Sequence, residues 1–375
     1  MKVGCPKEIK PQEFRVGLTP AAVNELVRRG HSVTVETNAG QGAGFVDSDY
    51  EKEGADIVGS AKEVFDKADM IVKVKEPQAI ERKMLKSGQL LFTYLHLAPD
   101  PEQTHDLIDS GCTAIAYETV TDLNGGLPLL APMSEVAGRL APQMGAWTIQ
   151  KANGGRGVLL GGVPGVAPAK VLVLGGGVVG TNAARVAAGM GADVTVLDKS
   201  LSRLRYIDDV FGHLFKNGYA SQKSTAELAS QADLMIGAVL VAGAEAPKLI
   251  SKEQLSTLQS GTALVDVAID QGGCFETSRA TTHADPIYEI DGIIHYCVAN
   301  MPGAVARTST LALGNATLPF IISLADKGWV KACSDNPHLF NGLNVHDGKL
   351  TYSAVGEALG IETVIPDLKA LSTLH

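Results

Sequence analysis

Aromatic residues are scarce in this chain, at 5% of 375 residues with two tryptophans. No basic run accompanies them, and acids outnumber bases to a net charge of −9. Nucleic-acid binding draws on basic patches and aromatic stacking, so it is not expected. Cysteine is sparse as well: Cys5, Cys112, Cys274, Cys297 and Cys333 stand singly, with no Cys-x-x-Cys and no histidine at ligand spacing. An odd, dispersed set reads as reduced thiols rather than a disulfide framework, and no metal is expected. Uninterrupted apolar runs stop after about eight residues, far short of the ~20 that a spanning helix needs. The opening MKVGCPKEIK lacks the apolar core of a signal peptide. The expectation is a soluble, cytoplasmic chain without repeats or low-complexity tracts.

What is present is more specific. In KVLVLGGGVVG (170–180) a β-branched apolar run ends at Gly175, and Gly175, Gly177 and Gly180 fit the G-x-G-x-x-G spacing. The run DVTVLD (193–198) follows and closes on Asp198. Strand, glycine turn, helix, strand and acid together make the dinucleotide-binding fingerprint. Gly175 permits the tight turn, Gly177 lets backbone approach a pyrophosphate, and Gly180 lets helix and strand pack closely. The helix that follows directs free N–H groups at the phosphates. A carboxylate at Asp198 accepts from ribose hydroxyls and repels a 2′-phosphate, which favours NAD over NADP; Arg203 and Arg205 nearby leave residual NADP use open. GGRGVLLGGVPGV (154–166) lacks the Gly-Lys-Ser/Thr of a P-loop and reads as a packed connecting turn.

Apolar strand-like runs alternate with helical stretches throughout. The first half offers 1–5, 31–36, 69–75, 90–96 and 113–118; the middle offers 170–175, 193–198, 232–240, 263–270 and 293–300. Continuous apolar runs of this kind suit buried parallel strands. Thr19-Pro20 and Asp100-Pro101 read as helix starts, and Gly30 and Gly111 as helix ends. Residues 133–152 read as one connecting helix kinked at Pro142, and 308–329 as a helix that returns to the first half. The fold class expected is α/β, with two doubly wound Rossmann-like domains joined by long helices. Residues 1–130 with 306–375 form a discontinuous substrate and catalytic domain, and 131–305 form the NAD-binding domain that carries the fingerprint.

In open α/β sheets ligands lie beyond the carboxyl ends of strands. Lys75, His96 and Asp270 close three of the apolar runs. They would face a substrate beside the nicotinamide across a cleft, the positioning that hydride transfer requires. Each has a plainer reading: Lys75 as an ion-paired surface lysine, His96 as a satisfied structural histidine, Asp270 as the cap of an Asp-Gln-Gly-Gly turn. Arg15 either binds a carboxylate with its planar fork or is simply exposed.

The chain closely resembles the alanine dehydrogenase and transhydrogenase α-subunit family. The resemblance covers essentially the whole chain. It is carried by EFRVGLTP (13–20), KVKEP (73–77), LHLA (95–98), YETV (117–120), LLAPMSEVAGR (129–139), GGRGVLLGGVPGV (154–166), VDVAIDQGGCFE (265–276) and YCVANMPG (296–303). It implies an NAD-dependent enzyme that interconverts L-alanine with pyruvate and ammonia, assembled as a homohexamer. On this resemblance Arg15 and Lys75 hold the substrate, and His96 and Asp270 handle protons. The cofactor contacts are then Ser134, Asp198, Arg203, Arg279 and the backbone at Val178, Val179, Val239, Leu240, Val267, Ala268, Ile269, Asp270, Val298, Ala299, Asn300 and Met301. Where the family often has a nucleotide-contacting serine after Tyr219, Ala220 precedes Ser221. Three alternatives stay open: a glyoxylate or other 2-oxo-acid substrate, a nucleotide-binding subunit that docks on a membrane transhydrogenase, and an NAD sensor without turnover. His96 and Asp270 together favour the enzyme.

Overall fold

The protein was analysed as a computed structural model, which describes residues 1–239 and 246–372. The chain divides into two compact units, one of Met1–Met133 with the segment from Val305 onward, the other of Ser134–Ala304.

The first unit opens with β1 (Lys2–Cys5), β2 (Ser32–Glu36), β3 (Asp56–Val58), β4 (Met70–Val72), β5 (Leu90–Thr93) and β6 (Thr113–Ala116). They pair in parallel, in the order β3-β2-β1-β4-β5-β6. Every residue of β4, β5 and β6 is buried, as a sheet covered on both faces demands. Helix starts follow the expected chemistry. The Thr19 hydroxyl accepts from Ala22 N–H at 3.2 Å ahead of Pro20–Arg28. Asp100 accepts from Gln103 N–H at 3.0 Å ahead of Pro101–Ser110, which ends at left-handed Gly111.

The second unit carries β7 (Lys170–Leu174), β8 (Asp193–Asp198), β9 (Lys216–Tyr219), β10 (Leu234–Gly237), β11 (Ala263–Asp266), β12 (Ile287–Ile290) and β13 (Ile293–Tyr296). Its order is β12-β13-β11-β10-β7-β8-β9, parallel apart from the β12–β13 pair. Each unit therefore has the doubly wound order 3-2-1-4-5-6, with a switch point between its first and fourth strands. The chain then returns to the first unit, where β14 (Leu343–His346) and β15 (Lys349–Leu350) extend that sheet beyond β6 to eight strands, antiparallel at the edge.

Strands β3, β9, β12, β14 and β15 were not expected. They are short or lie at sheet margins, and sequences such as Lys-Asn-Gly-Tyr show no apolar run. Ala131–Thr148 is one helix through Pro142, ending short of residue 152. The turn expected over 154–166 is packed only in part: Gly155 and Leu160 are buried, whereas Leu159, Val163 and Val166 are 65%, 53% and 63% exposed around a Val163–Val166 bridge.

The helix expected over 308–329 forms and runs longer, Ala306–Asp335, than the apolar-run count implied. Met301–Asp335 is long and apolar enough, by length and composition alone, to cross a membrane. Scattered Ser, Thr and Asn interrupt the run in sequence without interrupting the helix. Ser309, Leu313, Thr317, Ile321 and Leu324 form its buried stripe, and the helix packs on Pro20–Arg28 within the first unit. Gly328, at φ 72°, breaks it near its end.

Candidate active site

In the second unit the glycine turn has the geometry its spacing implies. Gly175 sits at φ 101°, a conformation that L side chains rarely adopt. A Cβ at Gly180 would stand 1.8 Å from the Gly175 carbonyl oxygen, so only glycine lets helix Val178–Gly189 pack on β7. A Cβ at Gly177 would meet nothing within 4 Å. Gly177 also caps the helix without a side-chain hydrogen bond, which leaves the first-turn amides of Val178 and Val179 open to an anion. Asp198 ends β8; its Oδ2 accepts from Gly176 N–H and its Oδ1 from Ser200 N–H, both at 2.7 Å. These features fit a dinucleotide, with pyrophosphate at the helix start and a ribose at Asp198.

Arg203 is turned inward. It donates to Gly176 O and, at 2.7 Å, to Thr181 Oγ1, and its guanidinium covers the Tyr206 ring at 4.6 Å. Arg279 lies 4.1 Å over the Tyr288 ring. Gly175 and Val239 approach each other at the β7–β10 switch point. Leu240 lies outside the described residues. Ser134 is half-buried on Ala131–Thr148. Val298 and Met301 are buried, whereas Asn300 takes φ 60° between them. Ser221 accepts from Ser224 N–H at 3.1 Å and so caps its own helix.

Asp270 does not end a strand. β11 stops at Asp266, and Asp270 stands exposed on the short turn Ile269–Gln271, ahead of left-handed Gly272 and Gly273. Its carboxylate makes no hydrogen bond or ion pair among the described residues, so it does not cap that turn. The loop is organised by Asp266 instead. This buried carboxylate accepts from Ala268 N–H at 3.1 Å, Cys274 N–H at 2.8 Å and Ser278 Oγ at 2.5 Å. Burial raises its pKa against those hydrogen bonds.

In the first unit the expected residues likewise lie beyond the strands. β4 ends at Val72 and β5 at Thr93, whereas Lys75 and His96 occupy the connections that follow. The apolar runs overstate the strands because residues after the ladder are still buried. Tyr94 N–H still reaches Val74 O at 3.2 Å, but regular pairing has ended.

Arg15 is not exposed. It is 2% accessible, and Glu13 holds it bidentately, Nε to Oε1 at 2.7 Å and Nη2 to Oε2 at 2.6 Å; Nη1 donates to Met133 Sδ at 3.0 Å. Burial alone would lower the guanidinium, but the hydrogen bonds and charge of Glu13 turn the balance upward and keep it charged.

His96 is a non-glycine residue at φ 52°, a strained backbone of the sort that gathers at functional sites. Glu118 holds it there, accepting from His96 N–H at 2.6 Å and Leu95 N–H at 3.1 Å, with its Oε1 3.9 Å from His96 Nδ1. The imidazole stacks on Tyr94, ring centres 5.8 Å apart. Burial raises the Tyr94 phenol, opposed by the charge of Arg15. Lys75 is half-buried; its carbonyl accepts from Thr93 Oγ1 at 2.9 Å.

Glu13, Glu118 and Asp266 escaped sequence reasoning. All three lie inside the runs EFRVGLTP, YETV and VDVAIDQGGCFE, so the motifs flagged them without assigning them a role. Among the described residues no group of three or more His, Cys, Asp or Glu side chains is placed to hold a metal ion.

Two doubly wound units, one with the glycine turn and acid of a nucleotide cradle and the other with an arginine, lysine and histidine beyond its strands, fit a dinucleotide-dependent oxidoreductase. The sequence places it more narrowly. Residues 4–137 match the Alanine dehydrogenase/PNT N-terminal domain and 141–353 the C-terminal domain, and the chain belongs to this family. It is 61% identical over 364 residues to an alanine dehydrogenase of Halomonas elongata, covering 97% of this chain and 98% of that protein. It is 53% identical over 372 residues to one of Bacillus subtilis, covering 99% and 98%. A solved L-alanine dehydrogenase superposes with a TM-score of 0.93 at 50% identity, over 96% of this chain and 99% of that one. A transhydrogenase from Sinorhizobium meliloti, at 24% identity and a TM-score of 0.82, shares the fold.

Proposed function

We propose that this chain interconverts L-alanine and NAD with pyruvate, ammonia and NADH, as a cytoplasmic homohexamer. Near-full-length identity to alanine dehydrogenases carries the reading. The nucleotide cradle supplies the chemistry that such a reaction needs: NAD, when bound, accepts the hydride from the substrate Cα. Gly175, Gly177, Gly180 and Asp198 hold it, with Ser134, Arg203, Arg279 and the backbone at 178–179, 239–240, 267–270 and 298–301.

Arg15 and Lys75 bind the alanine carboxylate. Glu13 grips one edge of the Arg15 fork and so fixes the orientation of the guanidinium. The amine must lose its proton before the Cα–H bond can break. His96 and Asp270 take up the protons released as imine forms and water adds. In the carbinolamine's collapse one of the two groups returns its proton to the amine nitrogen, the other takes the hydroxyl proton, and ammonia departs as the C=O of pyruvate forms. Glu118 and the Tyr94 ring fix the position of the His96 imidazole during these transfers.

The test is NADH absorbance with purified chain, L-alanine and NAD. Steady NADH formation that stops when alanine is omitted is expected. Binding of NADH without turnover on alanine overturns the reading, and faster amination of glyoxylate than of pyruvate reassigns the substrate.

A further inference from the structure

The connection after β1 carries a buried charge cluster with no part in the chemistry above. Lys73 is fully buried and donates to Glu8 Oε2 at 3.1 Å and Glu81 Oε1 at 2.7 Å. Burial would discharge the ammonium, but the two carboxylates raise its pKa and keep it protonated. Such a cluster is a poor source of stability, because well-packed apolar side chains usually serve as well or better. Its geometry suggests another use.

The other oxygen of Glu8 accepts from Val74 N–H at 2.7 Å and lies 3.4 Å from Lys75 N. Glu8 thus reaches across from the first strand's connection to the backbone that carries Lys75. Neighbouring groups of that segment are fixed by other side chains. Lys73 O accepts from Tyr117 OH at 3.0 Å, Lys75 O from Thr93 Oγ1 at 2.9 Å, and Gln78 N–H donates to Glu81 Oε2 at 2.7 Å. This stretch lies past the end of β4, so side chains take the place of the missing ladder. A lysine stem has several rotatable bonds, and a fixed backbone origin is what limits where its ammonium can go.

We propose that Glu8 is a positioning residue for Lys75: locked by Lys73, it clamps the Val74–Lys75 peptide so that the Lys75 ammonium meets the substrate carboxylate. This rests on the reading of Lys75 as a substrate-binding residue. Lys73 and Glu81 orient Glu8, and Thr93 completes the clamp on the opposite side of the Lys75 residue.

The test is steady-state amination of pyruvate by the full chain, alongside NADH titration. Glu8→Ala raises KM for pyruvate about tenfold or more, changes kcat less than about threefold and leaves the NADH dissociation constant alone. Glu8→Gln keeps an oxygen for the Val74 amide and returns KM to within about threefold of the parent. In a double-mutant cycle, Glu8→Ala with Lys75→Ala is no worse than Lys75→Ala alone, because Glu8 acts through that lysine. A parental KM in Glu8→Ala, or a double variant in which the two effects multiply, overturns the proposal. If the alanine variant does not fold, Glu8→Asp carries the test. It keeps the charge beside Lys73 but withdraws from the Val74 amide, and a parental KM there is equally fatal. Should Lys75→Ala itself leave KM unchanged, the substrate role of Lys75 fails and the proposal falls with it; a raised KM in Lys75→Ala beside a flat Glu8→Ala overturns the proposal alone.

Discussion

The two units share one strand order and use its switch point in opposite ways. After β7 the chain turns through Gly175–Gly177 straight into a helix, whose first-turn backbone amides are the proposed recognition element. After β1 it wanders from Pro6 to Thr19 before the helix Pro20–Arg28 begins, and buried side-chain charges at Glu8, Glu13 and Arg15 fill the same topological position. On the proposed reading the first arrangement suits a diphosphate and the second a small carboxylate. The lesson is that the length and glycine content of a single connection can change what a doubly wound sheet binds while the sheet stays the same.

The same comparison shows a device common to both units. A carboxylate accepts backbone N–H groups beside several of the expected site residues: Glu8 at Lys75, Glu118 at His96, Asp266 on the Asp270 loop and Asp198 at Gly176, between Gly175 and Gly177. Loops of this kind have no sheet ladder to define them, and charge-assisted hydrogen bonds provide a substitute.

Gly180→Ala should break the comparison most severely, because it removes the close helix–turn approach on which the second unit's cradle depends. With a Cβ 1.8 Å from Gly175 O the turn must move. NADH affinity, read by fluorescence titration, should fall at least about 100-fold, or about 2.7 kcal/mol. Retained affinity would show that the backbone cradle is not what binds the phosphates.

His96→Ala and Asp270→Ala test whether each unit supplies a proton-handling group. Each should lower kcat by about 10²–10⁴-fold with NADH binding unchanged. A parental rate in one variant would assign proton transfer to the other residue and its unit.

The smallest effect sharpens the contrast in buried charge. The first unit buries charged Lys73, whereas the second buries a neutral imidazole at His295, between Thr277 Oγ1 at 2.7 Å and Ile293 O at 3.1 Å. Burial lowers its pKa from 6.5 to about 4. The unfolded chain therefore takes up the proton first, and stability drains as pH falls from about 6.5 towards 4, with none lost above that window. His295→Gln should flatten this part of the Tm-against-pH curve by a few degrees, at roughly 2–4 °C per kcal/mol. An unchanged slope would place the acid sensitivity elsewhere.

Much of this was legible in the chain. The turn at Gly175–Gly180 and the caps at Thr19 and Asp100 rest on local stereochemistry, and the long apolar strands announce themselves. The holding carboxylates were not legible as such. Glu8 meets its partner at Val74 and Glu118 meets His96 only after folding, and before that each looks like any solvated acid. Edge strands such as β9 and β15 were invisible because half-exposed pairing needs no apolar run.

Local sequence, by itself, determined where the backbone must turn, where helices begin, and that two parallel sheets would form, because those choices depend on φ preference, capping and apolar burial within a few residues. Tertiary structure alone decided that Arg15 would be a buried, paired cation rather than a surface one, and that His96 would be held in a left-handed conformation. The first depends on the burial of the local Glu13–Arg15 pair against Met133, and the second on Glu118 arriving from another connection; a linear chain specifies neither meeting until its strands are in register.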